Sequence, residues 1–590
     1  MALNFVFPHF CSPEVKQVNI PILHHAPVVR SYARNFKSIF ANQPEYEHCK
    51  NYLTGLFVAE RKNYAQIAAV MVKGPDATNI SRFMSSTRWS GPEFNDRRAE
   101  LIFNRTKQID AHLCGALLID DTLDEHVGTL MEHIARHYDH CDGSYKLGQN
   151  PVTSHYLRGR VSFPVDLRAY RSYDEVTAWA KHFRQHFPEV EIPKKSKERN
   201  KLKQQYEKRL LEADPEFAAK HQAFETKIKL ACQLVADAIK RNLPFALVLF
   251  DSWYLAPELV AVIEHHNKGW MSILKKNRKL LTQSLKMNDT QGQRLTFKES
   301  EIKVEDLVPL MPKTVYEPVK INDETTYYAT AFTAQIPTLG KVRLVISFAD
   351  PACQGNYAVL VTRQMHWEAK RILRAYCGRF QIEVCYKDIK QHLGFSDYQC
   401  RTAPAIQKHW YLVFGAYGLL RLDLLRSPLY QTWQRRLKTI GVALRRQSQA
   451  LVEQMILECH RILSQGTHPE QLFKLLFGEA VYMRGRGILQ KSPVVADWCK
   501  YWLRWGAYEE KPHWEHGCAG VGTSNPHRLS RLSPYDEVSG ASAPWGARLD
   551  VRVPGVVDHA ERRARRQVHG KDLWGPPPFA HPLWARPVWP

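Results

Sequence analysis

The segment ALLIDDT at residues 116–122 decides the interpretation of the fold. Its first four residues are apolar and predict a short buried strand, which ends in two aspartates, Asp120 and Asp121. The segment FALVLFD at residues 245–251 repeats the pattern, with Asp251 directly after the apolar run. If the two strands are neighbours in one sheet, their terminal aspartates meet at the same edge. The two segments therefore predict an α/β fold with carboxylates gathered at one end of its sheet.

Glu383 is the candidate third carboxylate, in the segment RILRAYCGRFQIEVCYKDIKQHLG at residues 371–394. This segment predicts a long helix. At about 100° per residue, an arc of about 60° on one face of that helix contains Tyr376, Arg379, Glu383 and Lys390. Such a face presents a carboxylate ligand among groups that bind phosphate. The alternative is a solvated helix face with an ordinary Arg379–Glu383 ion pair.

The candidate metal ligands are Asp120, Asp121, Asp251 and Glu383. Carboxylate oxygens suit Mg²⁺ or Mn²⁺ rather than zinc. We expect two ions, which can activate an attacking oxygen and stabilise a leaving oxygen in a phosphoryl displacement. Adjacent strand residues face opposite ways, so only one of Asp120 and Asp121 should bind metal. Asp120 directly follows the apolar run, but the choice between them stays open, and each aspartate alone has the alternative of a solvated strand end.

The charge of the chain indicates a polyanionic partner. Lys and Arg number 82 against 59 Asp and Glu, which gives a formal net charge of +23. The longest apolar stretch, near residues 410–420, is too short to span a bilayer, and the first residues lack a signal-peptide pattern. Twelve cysteines without a CxxC pair are typical of reduced cytosolic thiols. We therefore expect a cytoplasmic protein that binds nucleic acid, with no membrane partner.

The order of the predicted elements is strand, hairpin, helix, strand, helix, strand, helix. It predicts an RNase H-like mixed sheet flanked by helices, with the hairpin at residues 151–169 and a charged helical stretch at residues 194–241. The predicted parts are a helical N-terminal domain (1–110), the first part of the RNase H-like core (111–285), a β-rich insertion (286–364), closing core helices with the catalytic glutamate (365–430), a helical C-terminal region (431–512) and a disordered tail (513–590). DNA binding and simple helical packing are both consistent with the N-terminal helices.

These motifs together resemble those of a known family. The spacing of Tyr376, Arg379, Glu383 and Lys390 is similar to the Tyr–Arg–Glu–Lys signature of bacterial insertion-sequence transposases of the DDE class. The phrases LLIDDT, VLFDSWY and GRFQIEVCYKDIKQHLGFSDYQ resemble the three catalytic blocks of that family. The resemblance covers roughly residues 45–425.

The resemblance implies a cut-and-paste DNA transposase of an insertion sequence. Such an enzyme cleaves transposon ends at their terminal inverted repeats and joins the exposed 3′-hydroxyl to target DNA. Tyr376, Arg379 and Lys390 would then bind DNA, and a homodimer on DNA in the bacterial nucleoid is expected. The β-rich insertion is similar to that of relatives that excise through a DNA hairpin. The alternatives are a transposase-derived DNA-binding protein without cleavage and a structure-specific nuclease of the same fold.

Two further features have open interpretations. Trp253 lies two residues after Asp251 and either stacks on a displaced base or, as favoured here, packs in the core. Six lysines and arginines between residues 194 and 203 either follow a DNA backbone or form a solvated helix face.

Overall fold

The computed structural model describes residues 22–72, 74–139, 143–323, 325–426 and 439–477, which all lie in one compact unit. The predicted tail at 513–590 lies outside the described residues, as does most of the predicted helical region at 431–512. None of the described helices is long and apolar enough to cross a membrane.

The first described part of the chain is mostly helical. Its helices are α1 (Pro27–Tyr32), α2 (Gln43–Val58), α3 (Tyr64–Ala69), α4 (Ala77–Ser85) and α5 (Gly91–Thr106). Asn42, Asp76 and Ser90 each begin a helix by accepting a hydrogen bond from a backbone N–H three residues ahead. The local sequence therefore fixes where these helices start.

A mixed sheet forms the centre of the molecule. Its first strands are β1 (Gly115–Asp121), β2 (Asp124–Glu125), β3 (Ala135–Asp139), β4 (Ser144–Arg158), β5 (Val161–Tyr170), β6 (Phe245–Phe250) and β7 (Gly269–Ile273). The order across the sheet is β5-β4-β1-β6-β7, with β4 antiparallel to β5 and β1, and with β1, β6 and β7 parallel. This is an RNase H-like arrangement, and it confirms the predicted fold class.

The helices between β5 and β7 are α6 (Tyr173–Thr177), α7 (Trp179–His186), α8 (Ser196–Ala213), α9 (Pro215–Ala223), α10 (Lys227–Lys240) and α11 (Pro257–His265). Helices α6 to α9 enclose a small core of their own, made of Trp179, Phe183, Phe187, Leu210 and Phe217. The charged stretch at 194–241 is not one helix, because it breaks at Asp214 and a second time at Thr226.

The next segment adds short and long strands: β8 (Lys279–Leu281), β9 (Glu301–Lys303), β10 (Glu317–Lys320), β11 (Thr326–Ile336), β12 (Gly340–Phe348) and β13 (Tyr357–Thr362), with α12 (Val304–Leu307) between β9 and β10. Strands β10 to β13 form an antiparallel ribbon, and β13 pairs with β7. The ribbon therefore continues the central sheet beyond β7.

The last described helices are α13 (Ala369–Cys377), α14 (Phe380–His392), α15 (Ala403–Arg426), α16 (Ile440–Ser464) and α17 (Pro469–Phe477). Helix α15 is buried along most of its length and packs against α5, α2, α16 and β5. The prediction of one unbroken helix across residues 371–394 is wrong, because the chain interrupts it between Cys377 and Phe380. Gly378, which has a low helix propensity, lies at this break.

Candidate active site

Two parallel strands place the first two carboxylates side by side. In the pairing of β1 with β6, Ile119 lies opposite Phe250, so the next residues along each strand are Asp120 and Asp251. Both strands are buried, because β1 and β6 lie in the middle of the sheet. The register of the two strands therefore brings these aspartates to one edge of the sheet.

Asp251 is held by the turn that follows β6. Its Oδ1 accepts hydrogen bonds from the backbone N–H of Trp253 at 2.8 Å and of Tyr254 at 3.3 Å, and Ser272 donates to its carbonyl oxygen at 2.9 Å. Burial raises the pKa of Asp251, although Arg379 and the two N–H groups oppose the shift. The carboxylate is therefore fixed in position but lacks a directly bonded cation among the described residues.

Arg379 joins the sheet to the third carboxylate. It lies at the start of α14, donates to Oδ2 of Asp120 at 2.6 Å, and also pairs with Glu383, one helical turn further on. Burial opposes the charge of Arg379, but Tyr376 and the carboxylates of Asp120, Glu383 and Asp251 raise its pKa. The guanidinium group thus stands between two carboxylates that come from different parts of the fold.

Asp120 is mostly buried beside three other carboxylates and one guanidinium group. Burial raises its pKa to about 7; Arg379 opposes the shift, and the carboxylates of Asp251, Asp121 and Glu383 add to it. The side chain is only 17% exposed. A carboxylate in this position is stable as an anion only if positive charge lies close by.

Asp121 faces a different set of groups. Lys227, at the start of α10, donates to its Oδ2 at 2.8 Å, and the phenol of Tyr254 donates to its Oδ1 at 2.7 Å. Adjacent strand residues point to opposite faces, which explains why Asp120 contacts Arg379 and Asp121 does not. The sequence did not predict Lys227 as part of the site, since its position depends on how α10 packs against the sheet.

The other two residues of the Tyr–Arg–Glu–Lys pattern flank this cluster. Tyr376 lies on α13, is buried, and donates to the carbonyl oxygen of Phe250 at 3.3 Å. Lys390 lies on α14 and donates to the carbonyl oxygen of Leu123 at 2.6 Å. Both residues therefore connect α13 and α14 to the carboxyl ends of β6 and β1, although the helix break places Tyr376 on a different helix from Glu383 and Lys390.

A comparison with known families agrees with this geometry. Residues 35–323 match the family model of the DDE superfamily endonucleases. The match includes Asp120, Asp121 and Asp251 and ends before Glu383. A comparison with curated proteins finds no match. The DDE endonuclease match supports a function of the nuclease or transposase type, whereas the Tyr–Arg–Glu–Lys resemblance stays a prediction.

DDE endonucleases generally use divalent metal ions, and the residues present fit such an ion by their chemistry. Asp120, Asp251 and Glu383 offer only carboxylate oxygens, which are hard ligands. Burial, to which the neighbouring carboxylates add, raises the pKa of Asp120, and a nearby cation would oppose both effects. Within the described part of the chain, no three His, Cys, Asp or Glu side chains are close enough to hold an ion. Arg379 instead occupies the space between Asp120 and Glu383.

Trp253 lies at the rim of the site. The interpretation of this residue as a core tryptophan is wrong, because its side chain is 46% exposed. Its backbone is fixed by Asp251, and Nζ of Lys227 lies 5.4 Å from the centre of its ring. The exposed indole directly follows a candidate catalytic residue, so stacking on a base stays a valid hypothesis.

Proposed function

We propose that the protein is a DNA transposase that cleaves the ends of an insertion sequence and joins them to target DNA. One observation carries the proposal: Asp120 and Glu383, from a strand and a later helix, both pair with Arg379, and Asp251 follows the neighbouring parallel strand beside Asp120. Phosphoryl transfer on DNA is the chemistry that three neighbouring carboxylates and a buried guanidinium group suit best.

In this proposal Asp120, Asp251 and Glu383 hold two divalent ions, Mg²⁺ or Mn²⁺. When bound, the ions would activate the attacking oxygen and stabilise the leaving oxygen. Asp120 is the ligand rather than Asp121, because Asp121 already accepts hydrogen bonds from Lys227 and Tyr254. Asp121 then acts as a positioning residue that fixes the end of β1 against α10.

Arg379 binds carboxylates when DNA is absent and a DNA phosphate when DNA is present. Without DNA it neutralises Asp120 and Glu383. Its planar guanidinium group also fits a phosphate with two parallel hydrogen bonds, so it can leave the carboxylates for the DNA backbone. Lys390 lies further along α14, next to the end of β1, and supplies a second phosphate contact there. Tyr376 is buried and acts by holding α13 against β6 rather than by direct exposure to DNA.

The proposed partners are the terminal inverted repeats and target DNA, bound by a homodimer in the bacterial cytoplasm. The net charge of +23 favours a polyanion of this kind.

A strand-transfer assay tests the proposal. The purified protein is incubated in Mg²⁺ with linear DNA that carries the inverted repeats flanking the reading frame, together with a plasmid target. A transposase gives joined products, and Asp251→Asn abolishes them. Cleavage without joining would indicate a structure-specific nuclease, and binding without cleavage would indicate a transposase-derived binding protein. Either result would refute the proposal.

A further inference from the structure

Helix α8 carries a row of cationic and amide side chains on its outer face. This row, called the basic stripe here, consists of Lys197, Lys201, Gln204 and Lys208, all exposed. At about 100° per residue they fall within an arc of about 60°. The opposite face of α8 packs on the small core of α6 to α9, through Leu202, Tyr206 and Leu210. The stripe therefore points away from the protein.

The lysines of the stripe have little neutralising charge. Within the described part of the chain, neither Lys197 nor Lys201 has a carboxylate within 4.0 Å, and Lys208 has only Glu212 at 4.0 Å. Both members of that pair are highly exposed, so the pair contributes little. Asn200 and Gln204 between the lysines add hydrogen-bond donors and no negative charge.

This arrangement costs helix stability. Lys197 and Lys201 are four residues apart, where like charges repel, whereas a glutamate would form a favourable pair. Both lysines also lie in the first turns of α8, at the positive end of the helix dipole. A helix face that contacts only water is not stabilised by such a cluster of positive charge, whereas a surface that binds a polyanion is.

The stripe belongs to a part of the fold that adjoins the candidate active site. The end of α9 leads into Phe224, whose ring lies 6.5 Å from that of Tyr170. Tyr170 in turn lies 5.3 Å from Nζ of Lys227, which donates to Asp121. The end of α9 thus lies near the carboxylates, so the group of helices that carries the stripe adjoins the candidate active site.

We propose that the basic stripe binds the phosphate backbone of duplex DNA outside the cleaved position, independently of base sequence. The inference rests on the proposed function, because it assigns a second contact surface for the same DNA. Lys197 and Lys208 are eleven residues apart, about 16 Å along the helix, which spans several phosphates of one strand.

The test uses Lys197→Gln/Lys201→Gln/Lys208→Gln and a 40-base-pair duplex of mixed sequence, in EDTA so that no cleavage occurs. Binding is measured at salt concentrations between 50 and 200 mM. The slope of log K against log salt is negative, and the loss of three phosphate contacts should make it less negative by about 2 to 3. Binding at 50 mM salt should weaken by at least tenfold. Because Gln favours helix as Lys does and the repulsion is removed, the variant should melt no lower than the wild type.

The matched control is Lys286→Gln/Lys298→Gln/Lys341→Gln, which removes the same charge from three other exposed lysines. It should keep most of the wild-type slope. An unchanged slope in the stripe variant would overturn the inference, and so would an equal change in the control, since only net charge would then matter. If the wild type itself binds no duplex, the proposed function fails together with the inference. If the wild type binds duplex and transfers strands but the stripe variant keeps the wild-type slope, only the inference fails.

Discussion

Replacing Arg379 by Gln should destabilise the metal-free protein. Arg379 is 16% exposed and bonds directly to Asp120, which is 17% exposed. Removing one partner of a buried ion pair costs about 3–5 kcal/mol. Asp120 can take up a proton, which limits the loss, and the pair with the more exposed Glu383 adds little. We therefore expect the free energy of unfolding to fall by about 2–4 kcal/mol at pH 8.

Urea unfolding at pH 8 measures this effect, once in EDTA and once in millimolar Mg²⁺. The cation should stabilise Arg379→Gln more than it stabilises the wild type, because the carboxylates of the variant have no other neutralising group. Arg461→Gln removes an exposed arginine that pairs with Glu458, and this control should unfold like the wild type.

Two results would refute the reasoning. If Arg379→Gln is as stable as the wild type in EDTA, then Arg379 does not neutralise a buried carboxylate. If Mg²⁺ stabilises the variant and the wild type equally, then the guanidinium group and the cation do not share the same carboxylates.

Other expected outcomes concern single residues. Trp253→Ala should weaken binding of DNA with an unpaired base by about 1–3 kcal/mol, and Trp253→Phe should not; equal losses on paired duplex would exclude stacking. The pKa of Asp120 is about 7 in the folded protein against an ordinary 3.8, so folding takes up a proton. Unfolding free energy in EDTA should therefore fall as pH rises through this window, and Asp120→Asn should flatten the dependence. Gly115→Ala should destabilise by about 1–3 kcal/mol, because the carbonyl oxygen of Pro244 fills the space for a Cβ. A Cβ at Gly128 meets open space, so Gly128→Ala should not change stability, and thermal melts of the two variants make the comparison.

Much of the central sheet is predictable from the sequence, because buried strands leave a local signal. The apolar runs that end at Asp120 and Asp251 correspond to β1 and β6, and the predicted hairpin corresponds to β4 and β5. The pairing of β13 with β7 was not predicted, since strand neighbours far apart in the chain leave no local pattern. Periodicity likewise indicated the face of α14 but not the break before it.

The candidate site was also predictable only in part from the sequence. Asp120, Asp251 and Glu383 were named because their residue type and element position follow from the sequence. Lys227 and the role of Tyr254 depend on how α10 and the turn after β6 pack, which no local pattern encodes. The exposure of Trp253 is also a property of packing, and composition alone favoured the core.

The most direct test of the central claim is end cleavage in Mg²⁺ by Glu383→Gln, with DNA binding measured in parallel. Gln keeps the size of the side chain but removes a negative metal ligand, so cleavage should collapse while binding persists. Asp388→Asn is the control, since it removes a carboxylate from the same helix that faces Arg421 rather than the cluster, and it should cleave normally. Full cleavage by Glu383→Gln would contradict the proposed active site.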